Sequence, residues 1–249
     1  MEPEALLLLC VLIFLAATIY TSVGHAGASG YLAAMALVGV PPVVMKPTAL
    51  TLNIIVATLA TFRMQRAGLV NWRALAPLLA GSVPLAFIGG GIELPGRVYR
   101  ILIGLVLLAA AAKLLLQPRR TQRIDARAPE RIPLLPALAT GMLVGALSGL
   151  TGTGGGIFLT PLLLFFGWAG ARQASGLTAP FILLNSMAGL AGNVMSLKSL
   201  PAEMPWFMLA AVLGTAVGTQ MGIRWFSVVA LQRMLAVVVL VAAGKFLLT

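Results

Sequence analysis

Long apolar segments follow one another along almost the whole of this chain, and they restrict it to a fold embedded in a membrane. Ten such segments can be delimited, and most of them approach the roughly 20 residues that a transmembrane helix needs. Charged residues make up only 9% of the chain, whereas a soluble domain carries about 25%. Since so few polar side chains are present to face water, the sequence predicts an all-α integral membrane protein.

The apolar segments fall into two sets of five. The first set covers residues 5–23, 28–39, 46–62, 73–92 and 97–116, and the second covers 133–149, 154–167, 173–195, 205–222 and 226–248. Segments 28–39 and 154–167 are short, which predicts half-helices or re-entrant pieces. The one clearly polar stretch, 117–132, separates the sets. We therefore expect a first repeat at 1–116, a basic linker at 117–132 and a second repeat at 133–249.

The two sets share an order of small and basic residues. At one offset of about 125, Gly24, Gly27 and Gly30 match Gly149, Gly152 and Gly155, and at a nearby offset of about 133, Gly81, Gly89 and Arg100 match Gly214, Gly222 and Arg233. Any single match is weak in a chain with 27 glycines. Ordered matches at two similar offsets indicate a duplicated unit.

The basic residues predict how the chain is oriented. The arginines of 117–132 place this linker in the cytoplasm. Five segments per half then put the N-terminus outside a cell (inner) membrane and leave the excess of basic loop residues inside. An odd number of crossings per half makes the two repeats inverted. Inverted repeats with broken helices are typical of secondary transporters, whose site lies near the middle of the membrane.

The charge pattern also narrows the partners. The net charge is +11, but the basic residues lie between apolar runs and form no face, so they fit lipid headgroups rather than nucleic acid. The six acidic residues lie near segment ends or in the linker, which argues against a carboxylate proton relay or a cation pathway. The single cysteine, Cys10, excludes an internal disulfide or a thiolate cluster.

Two glycine-rich breaks carry the strongest functional signal. One covers 24–30 and the other 148–156, and each follows a spanning segment and precedes a short one. Glycine lets the chain leave helical geometry, and the half-helix that follows presents unpaired N–H groups, which is a ready anion site. The predicted ligands are Gly27, Ser29, Gly30, Thr151, Gly152, Thr153, Gly154, Gly155 and Gly156. The alternative is that these glycines only allow close helix packing.

A second set of polar residues lies within or beside the apolar segments, and its members are His25, Thr48, Asn53, Thr178 and Asn185. The two asparagines need partners inside a membrane, either on neighbouring helices or in a cavity. His25 is the single histidine, and it either packs, lines the anion site or titrates there. Lys46 and Arg172 either contribute to the site or extend to the headgroups.

The same residues resemble a known family. The stretch 148–161, Ser-Gly-Leu-Thr-Gly-Thr-Gly-Gly-Gly-Ile-Phe-Leu-Thr-Pro, resembles the second-half signature of the TauE/SafE sulfite exporter family, and 181–189 is similar to the sequence that follows it. Residues 24–31 and 46–53 resemble the first-half counterpart. The resemblance implies a duplicated transporter that exports sulfite, sulfonates or other organosulfur anions. Here Gly27-Ala28-Ser29-Gly30 replaces the glycine triplet that many members carry in the first half.

Other functions fit the sequence less well. Gly27-Ala28-Ser29-Gly30 has the form of a rhomboid protease motif, but the single histidine lies on the same break instead of a later helix, so the serine lacks a suitable base. A membrane subunit that does not transport would not need paired breaks. No nucleotide-binding motif is present. We therefore expect a transporter of a small anion by alternating access, without enzyme activity, cofactor or metal, and a homodimer is one assembly that the sequence allows.

Overall fold

The computed structural model describes residues 2–22, 24–116 and 132–224, together with 240, 243 and 244. The described part of the chain is helical and contains no β-strand, which confirms the all-α class. Two predictions concern segments that fall almost entirely outside this part, namely the basic linker 117–132 and the last apolar segment 226–248.

In the part of the chain that the structure describes, helices reproduce nine of the ten predicted segments. In chain order they are α1 Pro3–Ser22, α2 Ala28–Val38, α3 Pro42–Arg66, α4 Trp72–Gly91, α5 Gly96–Leu116, α6 Leu134–Thr151, α7 Gly156–Phe165, α8 Ala171–Gly192 and α9 Met204–Arg224, with a 3₁₀ helix at Val194–Ser199. The eighth helix ends earlier than its segment, because Asn193 turns the chain by accepting a hydrogen bond from the Ser196 amide at 3.1 Å.

Helix lengths separate two kinds of element. Within the described residues, five helices are long and apolar enough to cross a membrane, at Pro3–Ser22, Pro42–Arg66, Trp72–Gly91, Leu134–Thr151 and Gln173–Gly192. In contrast, α2 has 11 residues and α7 has 10. At 1.5 Å per residue each extends about 16 Å, roughly half of the hydrocarbon core. The predicted half-helices are therefore present.

Helices from the two predicted repeats pack in crosswise pairs. The fourth helix, α4, lies against α6, while the first helix, α1, lies against α9. In both contacts, glycines lie where the two helices touch, and we call these contacts glycine seams. A Cβ at Gly145 would come within 2.5 Å of the Ser82 Cα, and one at Gly214 within 2.8 Å of the Ala17 Cβ. Such small residues let helix backbones approach closely in a membrane. Thr18 also donates a hydrogen bond to the Gly214 carbonyl at 3.2 Å.

Two buried apolar clusters follow from this pairing. The first core is built mainly from α1, α2 and α3 and also contains residues of α5 and α9 and Ile182 of α8. The second core is built mainly from α4, α6, α7 and α8. Each core therefore takes a helix from the other half of the chain. Since α3 packs directly on α8, this contact joins the two cores.

Candidate functional site

The two glycine-rich segments interrupt the helical structure as predicted. The first break lies between α1 and α2, and its Gly27 has a φ of 96°. The second break lies between α6 and α7, where Gly152, Gly154 and Gly155 have φ values of 78°, 72° and 81°. These angles are in the left-handed region, which side chains with a Cβ rarely adopt. The sequence around each break therefore ends one helix and starts a short one within the buried part of the protein.

One face of α8 lines the second break. Thr178, Ile182 and Ser186 are spaced four residues apart, so they lie on the same side of this helix. A Cβ at Gly156 would lie 2.9 Å from the Thr178 Cγ2, and one at Gly154 would lie 2.9 Å from the Ile182 Cγ2 and 2.8 Å from the Ser186 Oγ. The absence of side chains at these glycines is what brings the backbone of the break close to α8.

Asn53 of α3 approaches the same place from the other half of the chain. Its Nδ2 would lie 2.6 Å from a Cβ at Gly154 and donates a long hydrogen bond to the Ser186 Oγ at 3.4 Å. Both side chains are fully buried. The second break, α3 and α8 thus meet at a group of uncharged polar atoms in the interior.

His25 connects the first break to this region. Its Nε2 lies 2.8 Å from the Thr160 Oγ1, and that hydroxyl lies 2.9 Å from the Thr178 Oγ1. Thr160 also donates to the Gly156 carbonyl at 3.2 Å. A chain of polar groups therefore leads from the first break across α7 to α8. Thr160 did not figure among the candidates predicted from the sequence, because a single threonine in an apolar helix gives no distinctive pattern.

The threonines of the second break bond mainly to one another and to α6. Thr151 Oγ1 donates to the Leu147 carbonyl at 2.6 Å, and the hydroxyls of Thr151 and Thr153 are 2.9 Å apart. The Tyr99 hydroxyl donates to the Thr151 carbonyl at 3.3 Å. These bonds fix the end of α6 and set the position from which the break begins.

The first break has a different local arrangement. The Ser29 hydroxyl is hydrogen-bonded to the Tyr20 hydroxyl, and Tyr31 donates to the Ala26 carbonyl at 2.6 Å. Gly30 faces α1, where a Cβ would lie 2.7 Å from that of Ala16. These contacts are within α1, the break and α2. The structure thus brings Asn53, Thr178, His25 and the second break together, whereas the contacts of Ser29 and Gly30 lie at the α1–α2 junction.

The two remaining candidates, Asn185 and Thr48, differ in their hydrogen bonding. Asn185 donates to the Ser82 hydroxyl of α4 at 3.0 Å and to the Phe181 carbonyl at 2.8 Å. Thr48 is fully buried, and its hydroxyl has no partner among the described residues. The side-chain oxygens of Asn53, Ser148 and Asn185 are also buried without a partner in that part of the chain. Buried polar atoms are usually satisfied, so these orphans are unusual.

Lys46 binds the C-terminal end of α4. Its Nζ donates to the carbonyls of Gly89, Gly90 and Ile92 at 3.2, 2.8 and 3.3 Å. These carbonyls lie at the C-terminal end of α4, where backbone acceptors have no partner within the helix. A Cβ at Gly152 would lie 3.1 Å from the Lys46 Cγ. Lys46 therefore holds the end of α4 beside the start of the second break.

Besides Thr160, the sequence predictions also missed Ser148 and Ser186. Ser148 is the first residue of the break 148–156, and Ser186 directly follows Asn185. The signal for Ser186 was its spacing of eight residues from Thr178, which is two helical steps of four. Serine is common in membrane helices as a packing residue, so spacing alone would not have distinguished a serine of the site from a serine that only packs.

Comparison with known proteins places the chain among membrane transporters. Residues 9–246 match the family model described as Sulfite exporter TauE/SafE. The chain is 39% identical over 247 residues to a probable membrane transporter protein of Sinorhizobium fredii, covering 99% of this chain and all of that protein. It is 28% identical over 146 residues to one of Methanocaldococcus jannaschii, covering 57% of this chain and 53% of the relative. No solved structure matches the chain.

Proposed function

The chain belongs to the TauE/SafE sulfite exporter family, and from that premise we propose that it exports a small sulfur-containing anion such as sulfite or an organosulfonate. The family, the relatives named as membrane transporters and the several helices able to span a bilayer all support a multi-pass transporter rather than an enzyme. The substrate class rests on the family, whereas the proposed site and mechanism rest on the geometry of the breaks.

The observation that carries the proposal is the second break. It combines a helix start inside the protein with buried polar groups from both halves, namely Asn53 of α3 and Thr178 and Ser186 of α8. A helix N-terminus attracts anions through its free N–H groups and its dipole. Gly152 to Gly156 form this site, with Thr151 and Thr153 at its α6 end. Among these groups there is no carboxylate, which would repel an anion.

We further propose that the first break forms the opposing part of the substrate path. His25 reaches the second half through Thr160, and a Cβ at Gly24 would lie 2.7 Å from the Ser175 Cβ at the start of α8. The second break approaches Lys46, at the start of α3, in the same way. Each break therefore lies against the third helix of the other half. This reciprocity supports inverted repeats and alternating access between them, with Gly27, Ser29 and Gly30 following the movement of the first break.

The orientation proposed for the chain has the N-terminus outside the cell membrane and residues 117–132 in the cytoplasm, because the linker carries a cluster of arginines. Single cysteines placed at residue 2 and at residue 121, in a protein that lacks Cys10, would be labelled from opposite sides by an impermeant maleimide. Labelling of both from the same side would contradict an odd number of crossings.

The test of function is a binding and flux experiment on the purified protein. Thermal unfolding is measured with sulfite, sulfate, thiosulfate, small sulfonates, sulfur-containing carboxylates and phosphate, and efflux of the anion that stabilises most is then followed from proteoliposomes. Stabilisation and efflux that are lost in Thr153→Val but kept in Thr58→Val support the proposal. Thr58 is a suitable control because it is exposed on α3 and donates only to its own helix, to the Ile54 carbonyl at 2.6 Å.

A well-folded protein that binds none of these anions and moves none of them would instead support the second candidate, a membrane subunit without transport activity. Binding without flux would leave the site in place and remove the alternating-access mechanism.

A further inference from the structure

We propose that His25 binds a proton that is transported together with the anion, and that Thr160 transmits the protonation state of its imidazole to the second break. This proton site rests on the proposed transport function and adds a second ion to the transported anion. Two observations carry it: His25 joins the first break to the other half of the chain, and Thr160 forms a set of hydrogen bonds that the imidazole can reverse.

His25 is the single histidine of the chain, and histidine is the side chain that exchanges a proton near neutral pH. It is only 8% exposed, so it is shielded from bulk water in this conformation. Lys46, which contacts the second break, is held by the carbonyls of α4. The carboxylates of the described chain lie at the start of α1 or in loops, at Glu2, Glu4, Glu93 and Glu203. In that part of the chain, His25 is therefore the group placed to carry a proton between the breaks.

The hydroxyl of Thr160 contacts three groups but has a single hydrogen. The His25 Nε2 lies at 2.8 Å, the Thr178 Oγ1 at 2.9 Å and the Gly156 carbonyl oxygen at 3.2 Å. A carbonyl only accepts, so all three bonds form together when Thr160 donates to Gly156 and accepts from Thr178 and from a hydrogen on Nε2. The imidazolium form of His25, which has a hydrogen on both ring nitrogens, completes this arrangement.

Loss of the proton from Nε2 reverses one of these bonds. The bare nitrogen can only accept, so Thr160 must turn its hydrogen from the Gly156 carbonyl to His25. Gly156 is the first residue of α7 and belongs to the second break. The protonation state of a residue in the first break therefore changes a hydrogen bond at the start of the short helix of the other half.

The elements that contact His25 and its neighbours supply no negative charge near the first break. Tyr20, near the end of α1, and Tyr31 of α2 are neutral at physiological pH, and both hydroxyls are hydrogen-bonded. The third element, α7, contains no titratable residue, and Arg172, in the first turn of α8, is the one charged residue of that helix. A buried imidazolium needs a compensating negative charge. An anion bound between the breaks supplies it.

Proton and anion therefore strengthen each other's binding. The anion stabilises the imidazolium, and by linkage the imidazolium stabilises the bound anion by the same factor. The proton is taken from water on the side where the anion enters, is held on Nε2 and returns to water on the side where the anion leaves. A singly charged anion and one proton thus cross without net charge, and the direction of net transport follows from their two gradients.

Nitrogen NMR reports on this site directly, because protein labelled with ¹⁵N-histidine and purified without a histidine tag gives signals from His25 alone. Spectra of the full-length protein in detergent are recorded from about pH 5 to about pH 9, without anion and with saturating methanesulfonate or sulfite. We expect Nε2 to lose its hydrogen as the pH rises, and the bound anion to move the midpoint to higher pH. An Nε2 that keeps its hydrogen over the whole range, or a midpoint that the bound anion leaves unchanged, would overturn the proposal.

Dissociation constants for methanesulfonate, which keeps one negative charge at every pH used, measure the same linkage from the side of the anion. We expect the wild-type affinity to fall at least about threefold between about pH 6 and about pH 8, because the anion-bound protein holds more protons than the free protein. His25→Gln cannot be protonated and should bind equally at both pH values.

Two further variants control for this comparison. Thr160→Ser keeps the hydroxyl and should keep the pH dependence, as should Thr58→Val, which removes an exposed hydroxyl that donates only within α3. A pH dependence that persists in folded His25→Gln would overturn the role of His25. If that variant does not fold, the NMR titration of the wild-type protein decides.

Proteoliposomes separate proton coupling from the transport function. Efflux of methanesulfonate by the wild-type protein should carry about one proton per anion to the outside, measured with a pH-sensitive dye. Efflux without proton movement would refute the proton site and leave the transport function intact. Wild-type protein that neither binds nor moves any anion of the panel would refute the transport function, and proton coupling with it.

Discussion

At the scale of single residues, Gly154 shows how a backbone angle and a close contact act together. Its φ of 72° is unfavourable for any residue with a Cβ, and a Cβ there would lie 2.6 Å from the Asn53 Nδ2 and 2.8 Å from the Ser186 Oγ. Gly167 has a similar φ of 65° but nothing within 4 Å of the same position. The two glycines therefore separate the cost of the angle from the cost of the contact.

We expect Gly167→Ala to lower the unfolding free energy by about 1–2 kcal/mol, which is the cost of a left-handed residue with a Cβ. Gly154→Ala should cost more and should also abolish anion binding, because Asn53 and Ser186 must move. Thermal unfolding midpoints of the two variants in detergent, with and without the anion, provide the measurement. Equal midpoints would show that the contact with Asn53 and Ser186 is not restrictive.

Lys46 gives a second prediction at this scale. It donates to three carbonyls at the end of α4, and a methionine would fill the same volume without donating. We expect Lys46→Met to destabilise the protein by about 2 kcal/mol, since hydrogen bonds from charged groups contribute about that much. Lys198 is exposed, so Lys198→Met is the matched control and should leave the unfolding midpoint unchanged. A midpoint for Lys46→Met that equals the wild-type value would mean that water replaces the ammonium at no cost.

At the scale of helices, the polar chain from His25 to Thr178 depends on one hydroxyl of α7. Thr160 contacts both ends, at 2.8 Å and 2.9 Å. We expect Thr160→Val to reduce efflux at least about tenfold while the protein still folds, because valine keeps the shape and removes the hydroxyl that links the halves. Thr219→Val on α9 is the comparison, since Thr219 donates only to its own helix. Full efflux in Thr160→Val would show that the first break moves independently of α7.

The breaks and short helices were predictable because glycine and helix length leave a direct mark on the sequence. A helix of 10 or 11 apolar residues cannot span a bilayer, and clustered glycines mark where it begins. The partners of these breaks were not predictable in the same way. Nothing in the local sequence of Ser29 reveals that Tyr20 binds it, and nothing around Lys46 distinguishes a helix cap from a residue at the headgroups. Such choices depend on how helices pack across the chain.

At the scale of the whole molecule, the two cores do not coincide with the two halves of the sequence. The first core joins α1, α2 and α3 with part of α9, and the second joins α4 with α6, α7 and α8. Glycine seams hold α4 to α6 and α1 to α9 with backbones in contact, so these pairs have little freedom to slide. The α3–α8 contact lies between the cores, and it is also where Asn53 and Ser186 meet. Movement that opens the site should therefore separate α3 from α8, which takes Ile182 of α8 out of the first core and leaves the rest of each core intact.

Cross-linking tests this division in a protein that lacks Cys10. Leu50 on α3 lies opposite Gly189 on α8, where a Cβ would be 3.6 Å from the Leu50 Cδ1 and has room. A disulfide between cysteines at these two positions joins α3 of the first core to α8 of the second, and we expect it to stop efflux until it is reduced. The matched pair is at positions 93 and 193, beyond the ends of α4 and α8, where Asn193 donates to Glu93 at 3.3 Å.

The second disulfide joins the ends of α4 and α8, two helices of the same core, so efflux should continue when it has formed. Loss of efflux with both disulfides would mean that α4 moves relative to α8, and the glycine seams would then be sliding surfaces rather than fixed ones. Continued efflux with both disulfides would place the moving contact elsewhere. The proposed anion site would then not be part of the contact that moves. The difference in efflux between the two disulfides thus decides whether the α3–α8 contact both binds the substrate and opens the path. The crosswise packing of the helices leads us to expect that it does both.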